Sequence, residues 1–81
     1  MSKQLLGIEQ LTNEVLAGIR ACEEGKDVAE ISIYEIESDH LDRNWGVSVV
    51  APGRTGMVAA SRAAISVMLS LGRRFDLSVE E

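Results

Sequence analysis

The chain has 81 residues, a length at which folding hides only about 60 to 70% of the unfolded surface, so one thin core is the most it can build. Apolar residues make up 46% and charged residues 26%, a balance that excludes wholesale disorder and a fibrous repeat. The net charge of −5 argues against an obligate binder of nucleic acid or anionic membranes, since the phosphate term in such binding depends on a basic footprint.

The charge is unevenly spread. Through Asp42 there are ten acidic and three basic side chains, and from Arg43 onward three acidic and five basic, so the second half is mildly basic. Cys22 is the only cysteine, which excludes an intramolecular disulfide, and the first seven residues lack the basic-then-apolar order of a signal peptide. A cytoplasmic location is expected on these grounds. The longest low-charge run, residues 57–72, is interrupted by Arg62 and is shorter than the about 20 apolar residues needed to span a bilayer, so no membrane insertion is expected.

In chain order, a rotation of about 100° per residue groups Leu5, Ile8, Leu11, Val15, Leu16, Ile19 and Cys22 within roughly 140° of arc, with Glu9, Asn13, Glu14 and Arg20 outside it. This predicts an amphipathic helix from Leu5, ending near Glu24, with Gly25 as a left-handed C-terminal cap. Residues 28–36 are rich in β-branched side chains and predict a first strand. Ile31 and Ile33 share one parity while Ile36 takes the other, which suggests a bulge or twist near Tyr34. A polar stretch over 37–43 leads into Trp45, Val47 and Val49, alternating with Gly46, Ser48 and Val50, which predicts the second strand of a hairpin with a long loop.

Pro52, Gly53 and Gly56 break that strand, and a second helix is predicted from about Gly56. Its large apolar residues Met57, Val58, Ile65, Val67, Met68, Leu69, Leu71 and Phe75 cover roughly 200° of circumference, wider than a one-sided stripe, so it should have two neighbours. Residues 75–79 alternate apolar and polar; they fit a short third strand or a docked C-terminal segment, and docking is favoured. With no internal repeat or linker, residues 1–81 read as a single small α+β domain of α-β-β-α order, an antiparallel hairpin packed against two helices.

The spacing Ile31-x-Ile33-x-x-Ile36, a polar loop, Asn44-Trp45-x-Val47, Gly53, an alanine-rich helix and Leu71-x-x-x-Phe75-x-Leu77 resembles that of small uncharacterised bacterial proteins. The match runs from about the middle of the first helix to Leu77. Its motif positions are mostly core residues, so the resemblance implies a fold and transfers no functional residue.

Gly53, Arg54, Thr55 and Gly56 form the first candidate site, because a strand-to-helix loop points free N–H groups and a positive helix end at whatever sits there. A phosphate or carboxylate would fit, with Arg54 closing on it; the plainer reading is a turn in which Thr55 caps the helix. The motif lacks the Lys and Ser/Thr pairing of a phosphate-binding loop. Glu37, Asp39, His40 and Asp42 are four potential metal ligands in the hairpin loop, but their spacing matches neither a calcium loop nor a closed zinc site, and no metal is expected.

Cys22 lies on the apolar arc, apart from the only histidine, so a Cys-His pair is not expected. His40 as a general base would need a pocket that a thin core hardly provides, so neither enzyme activity nor a cofactor is expected. Trp45 could stack on a base, with Arg43 and Arg54 read near the same sheet end, but parity with Val47 and Val49 favours a core anchor.

Arg73 and Arg74 suit a helix C-terminus, and with Arg62 they could dock an acidic surface, including that of a second copy. A hairpin is marginal alone and leaves strand edges to be paired or covered. The sequence therefore reads as a small non-enzymatic interaction module, a homodimer joined through the second helix with Ala60, Ala63, Val67 and Leu71 at the contact. The alternative is an anion or RNA binder using Gly53, Arg54, Thr55 and Gly56, helped by Arg43, Arg62 and Arg73.

Overall fold

The computed structural model describes residues 4–36 and 43–78. Their elements run β1 (Gln4–Leu6), α1 (Ile8–Ala21), β2 (Glu30–Glu35), β3 (Trp45–Ala51), α2 (Met57–Leu71) and β4 (Phe75–Leu77). The helix, hairpin, helix order is the expected α+β one, with a short strand added before α1 and another after α2.

Those two strands pair with each other in parallel, Gln4 opposite Phe75 and Leu6 opposite Leu77. The sequence placed Leu5 in the first helix. The helix instead starts at Ile8, because Gly7 at its N-cap is extended (φ −65°, ψ 162°), and the residues before it turn away to meet β4. Leu6 is thereby buried while Leu5 faces solvent. The C-terminal segment, favoured as merely docked, is a strand because Gln4–Leu6 supplies its ladder partner.

The other edge of β4 is taken by side chains. Asn44 donates Nδ2–H to the Leu77 carbonyl at 2.9 Å and accepts from the Leu77 N–H at 2.7 Å, while Trp45 donates Nε1–H to the Phe75 carbonyl at 3.0 Å. The primary amide of Asn44 thus does for β4 what a neighbouring strand's peptide group would do, which ties the small sheet to the start of β3.

Helix α1 ends at Ala21, earlier than Glu24, and its C-cap Cys22 is extended rather than left-handed. Gly25 closes a 3-10 turn, Glu23–Gly25, and is buried; a Cβ there would collide with the Ile19 carbonyl oxygen, so close approach rather than backbone freedom calls for glycine. Arg20 holds the following segment by donating Nε–H to the Val28 carbonyl at 2.9 Å and Nη2–H to that of Ala29 at 3.4 Å.

In the antiparallel hairpin, Ile31 opposes Val49, Ile33 opposes Val47 and Glu35 opposes Trp45. The bulge expected near Tyr34 lies at the other end. The register slips between Glu30, which faces Ala51, and Ile31, which leaves Val50 as the extra residue on β3. The hairpin is regular through Tyr34, opposite Gly46; a Cβ on Gly46 would lie 2.5 Å from the Tyr34 ring, so the aromatic covers the glycine.

The inner face of the hairpin packs against both helices, α1 over β2 and α2 over β3, and the helices also pack on each other. Helix α2 therefore has two neighbours, as expected, but they bury its alanine side and Val67 and leave part of the wide apolar arc uncovered. Leu11, Val15, Ile19, Val28 and Trp45 are fully buried, joined by Ile31, Ile33, Ala60, Ala63, Ala64, Val67, Phe75 and Leu77. Burying an aliphatic side chain of this kind stabilises by about 1.5–3 kcal/mol, and the alanines of α2 let its backbone approach the sheet closely.

Candidate interaction surface

Packing one flank of α2 inward leaves another outward. Met57, Val58, Ile65 and Leu69 are between 51% and 70% exposed, on one side of the helix. Tyr34 and Val50, on the outer face of the hairpin, are about half exposed (49% and 51%). Scattered single apolar side chains on a surface are ordinary, whereas large contiguous apolar patches are where proteins commonly meet partners.

The free edge of β3 lies between these two groups. The Ile36 N–H donates to the Asn44 carbonyl at 2.8 Å, so the alternation of an antiparallel ladder makes Tyr34–Gly46 and Ser32–Ser48 the hydrogen-bonded pairs. Val47 and Val49 then point their N–H and C=O groups away from β2, and among the described residues neither finds a partner there. The Trp45 carbonyl, next along this edge, accepts from Arg43 Nε at 3.1 Å.

A groove of about 310 Å³ runs along this edge, walled by Tyr34 on one side and by Met57, Ile65 and Met68 of α2 on the other, with Val47 and Val49 at its floor. The two hairpin edges differ in charge. Strand β2 carries Glu30 and Glu35 at its ends, and β3, Trp-Gly-Val-Ser-Val-Val-Ala, carries no charge at all. Charged residues on an edge discourage pairing with another strand, and β3 lacks that protection.

The residues expected at a helix-two contact lie elsewhere. Ala60, Ala63 and Val67 are buried in the chain's own core, and Leu71 is half-buried, lining a crevice of about 490 Å³ between α1 and α2 with Gly18, Cys22 and Ser70. The sequence showed that α2 is apolar on two sides but not which side meets the core; the alanines won that place because their small size allows close packing. Cys22 donates its thiol hydrogen to the Gly18 carbonyl at 3.4 Å. Trp45 is fully buried, as the parity argument favoured.

In the loop before α2, Gly53 and Gly56 have positive φ (70° and 87°) around a 3-10 turn, Gly53–Thr55. The N-cap of α2 is Gly56 with no side-chain bond, so the expected Thr55 cap is not made. A Cβ at Gly53 would collide with the Asp27 carbonyl, so an acidic residue packs against the loop. Arg43 and Arg54 flank opposite ends of the seven-residue β3, about 20 Å apart by strand rise, and not the same sheet end. Arg62 sits partway along α2 and Arg73 beyond its C-terminus, so the arginines form no single patch around the loop. Arg74 lies 5.1 Å over the Phe75 ring.

Among the described residues, no three His, Cys, Asp or Glu side chains gather where they could hold a metal ion. Glu37, Asp39, His40 and Asp42 lie outside the described residues. No helix of the described residues is long and apolar enough to cross a membrane. No protein-family model matches the chain, and no curated protein or solved structure matches it either.

Proposed function

We propose that the chain is a small, cytoplasmic, non-enzymatic interaction module that associates with itself through the face formed by α2 and the free edge of β3. The observation that carries this reading is the uncharged, unpaired β3 edge flanked by the exposed Met57, Val58, Ile65 and Leu69. The same face is free of carboxylates: no acidic residue occurs between Arg43 and Asp76. Two copies of a chain with net charge −5 can therefore meet there without carboxylate facing carboxylate.

The exposed Ile65→Glu substitution, a charge placed in the strip without disturbing the core, tests the reading. Light scattering over a concentration series is expected to give twice the 8.8 kDa chain mass for the parent protein and the single mass for the variant. Unchanged far-ultraviolet circular dichroism would show that the variant keeps its fold. A parent protein that stays monomeric at every concentration would refute self-association.

A further inference from the structure

The groove along β3 lies on a backbone edge that a further strand would pair with, and the placement of the open groups bears on which strand. The unpaired backbone groups belong to Val47 and Val49, placed symmetrically about Ser48, and Ser48 is also the midpoint of Trp45–Ala51. An antiparallel copy of β3 related by a two-fold axis at Ser48 would set Val47 opposite the partner's Val49 and Val49 opposite the partner's Val47. Each would meet its counterpart as a hydrogen-bonded pair, using the N–H and C=O groups that the single chain leaves open. Centring the axis on Val47 instead would pair Trp45 with the partner's Val49, and the Trp45 carbonyl already accepts from Arg43.

We propose that two copies of this chain pair β3 to β3 antiparallel about Ser48, forming one continuous four-stranded sheet with the two α2 helices side by side on its inner face. This rests on the self-association reading above and specifies its geometry.

The side chains agree with that register. Gly46 would face the partner's Val50, and because the Tyr34 ring lies over Gly46, the exposed Tyr34 and the partner's exposed Val50 would cover each other on the outer face. On the inner face, the sheet continues across the axis and sets the flank of each α2 that carries Met57, Ile65 and Met68 toward the same flank of the other. One contact thus covers Tyr34 and Val50 on the hairpin and Met57 and Ile65 on α2. A second copy is favoured over a foreign strand because the open groups are their own complement under a two-fold, and because β3 has no charge to repel itself.

A cysteine at the axis tests the register directly. Ser48 faces its own copy as a non-hydrogen-bonded pair, with Cα atoms about 4.5 Å apart, within the span a disulfide bridges. In a Cys22→Ser background, Ser48→Cys is expected to form a covalent dimer on mild oxidation, seen as a doubled mass on a denaturing gel and reversed by reductant. Ser32→Cys, also exposed but on β2, would sit about 14 Å from its counterpart at normal strand spacing and is expected to remain uncross-linked.

A protein that is dimeric by light scattering, yet whose Ser48→Cys variant does not cross-link or cross-links no better than Ser32→Cys, would overturn the register while leaving self-association standing. A monomer at all concentrations would overturn both and leave the groove to a strand from another protein.

Discussion

Asn44 holds the two parts of this small fold together. Its side-chain amide makes both hydrogen bonds to Leu77, across 33 residues of sequence, and beside it Trp45 reaches Phe75. Asn44→Ala would leave the Leu77 N–H and C=O without that partner in a half-buried place, a loss of about 2 kcal/mol. We expect a lower urea midpoint at fixed protein concentration, with β4 losing amide protection first; an unchanged midpoint would show that water replaces the amide at no cost. The buried role of Trp45 was legible, because it shares strand parity with Val47 and Val49. The role of Asn44 was not, since a side chain standing in for a strand has no local pattern. Arg20 was likewise hidden: its place outside the apolar arc of α1 marks it as exposed, and nothing in that arc points to the carbonyls of Val28 and Ala29.

Among the elements, those long enough to show a period were readable. The amphipathic arc of α1, the alternation of β3 and the double-sided arc of α2 each follow from residue spacing. The alternation over residues 75–79 allowed a strand at β4 without requiring one, and the three residues of β1 carry no period of their own; each exists because the other supplies its ladder. The bulge was misplaced for a related reason, because Val50 rather than a β2 residue is the extra one. The exposed β3 edge itself gives an element-scale expectation. Val49→Pro removes an N–H that finds no partner among the described residues, at an edge position where proline is tolerated. The variant is expected to keep its circular dichroism and, by light scattering, to lose association. A dimer of undiminished strength would mean that the edge is not what joins the copies.

At the scale of the whole molecule, charge and apolar surface are segregated. Among the described residues, the acidic side chains lie on α1, the segment after it, β2 and, as Asp76, β4, whereas β3 and α2 carry none, with Arg62 the single charged residue on α2. The sequence revealed this asymmetry as an acidic first half and a mildly basic second half, and it pointed to the second helix as the contact. It could not separate the flank that packs on the hairpin from the flank that faces outward, because both are apolar and only the packing decides between them. In the pairing proposed above, a second copy extends the sheet and so completes a thin core with an open strand edge.

Amide hydrogen exchange followed against protein concentration reports on that pairing at the β3 backbone itself. The Val47 and Val49 amides are expected to exchange quickly in dilute solution and to become protected as concentration rises, while the amides of Gly46 and Ser48, already paired with β2, stay protected throughout. Val47 and Val49 amides that exchange equally fast at every concentration would contradict it.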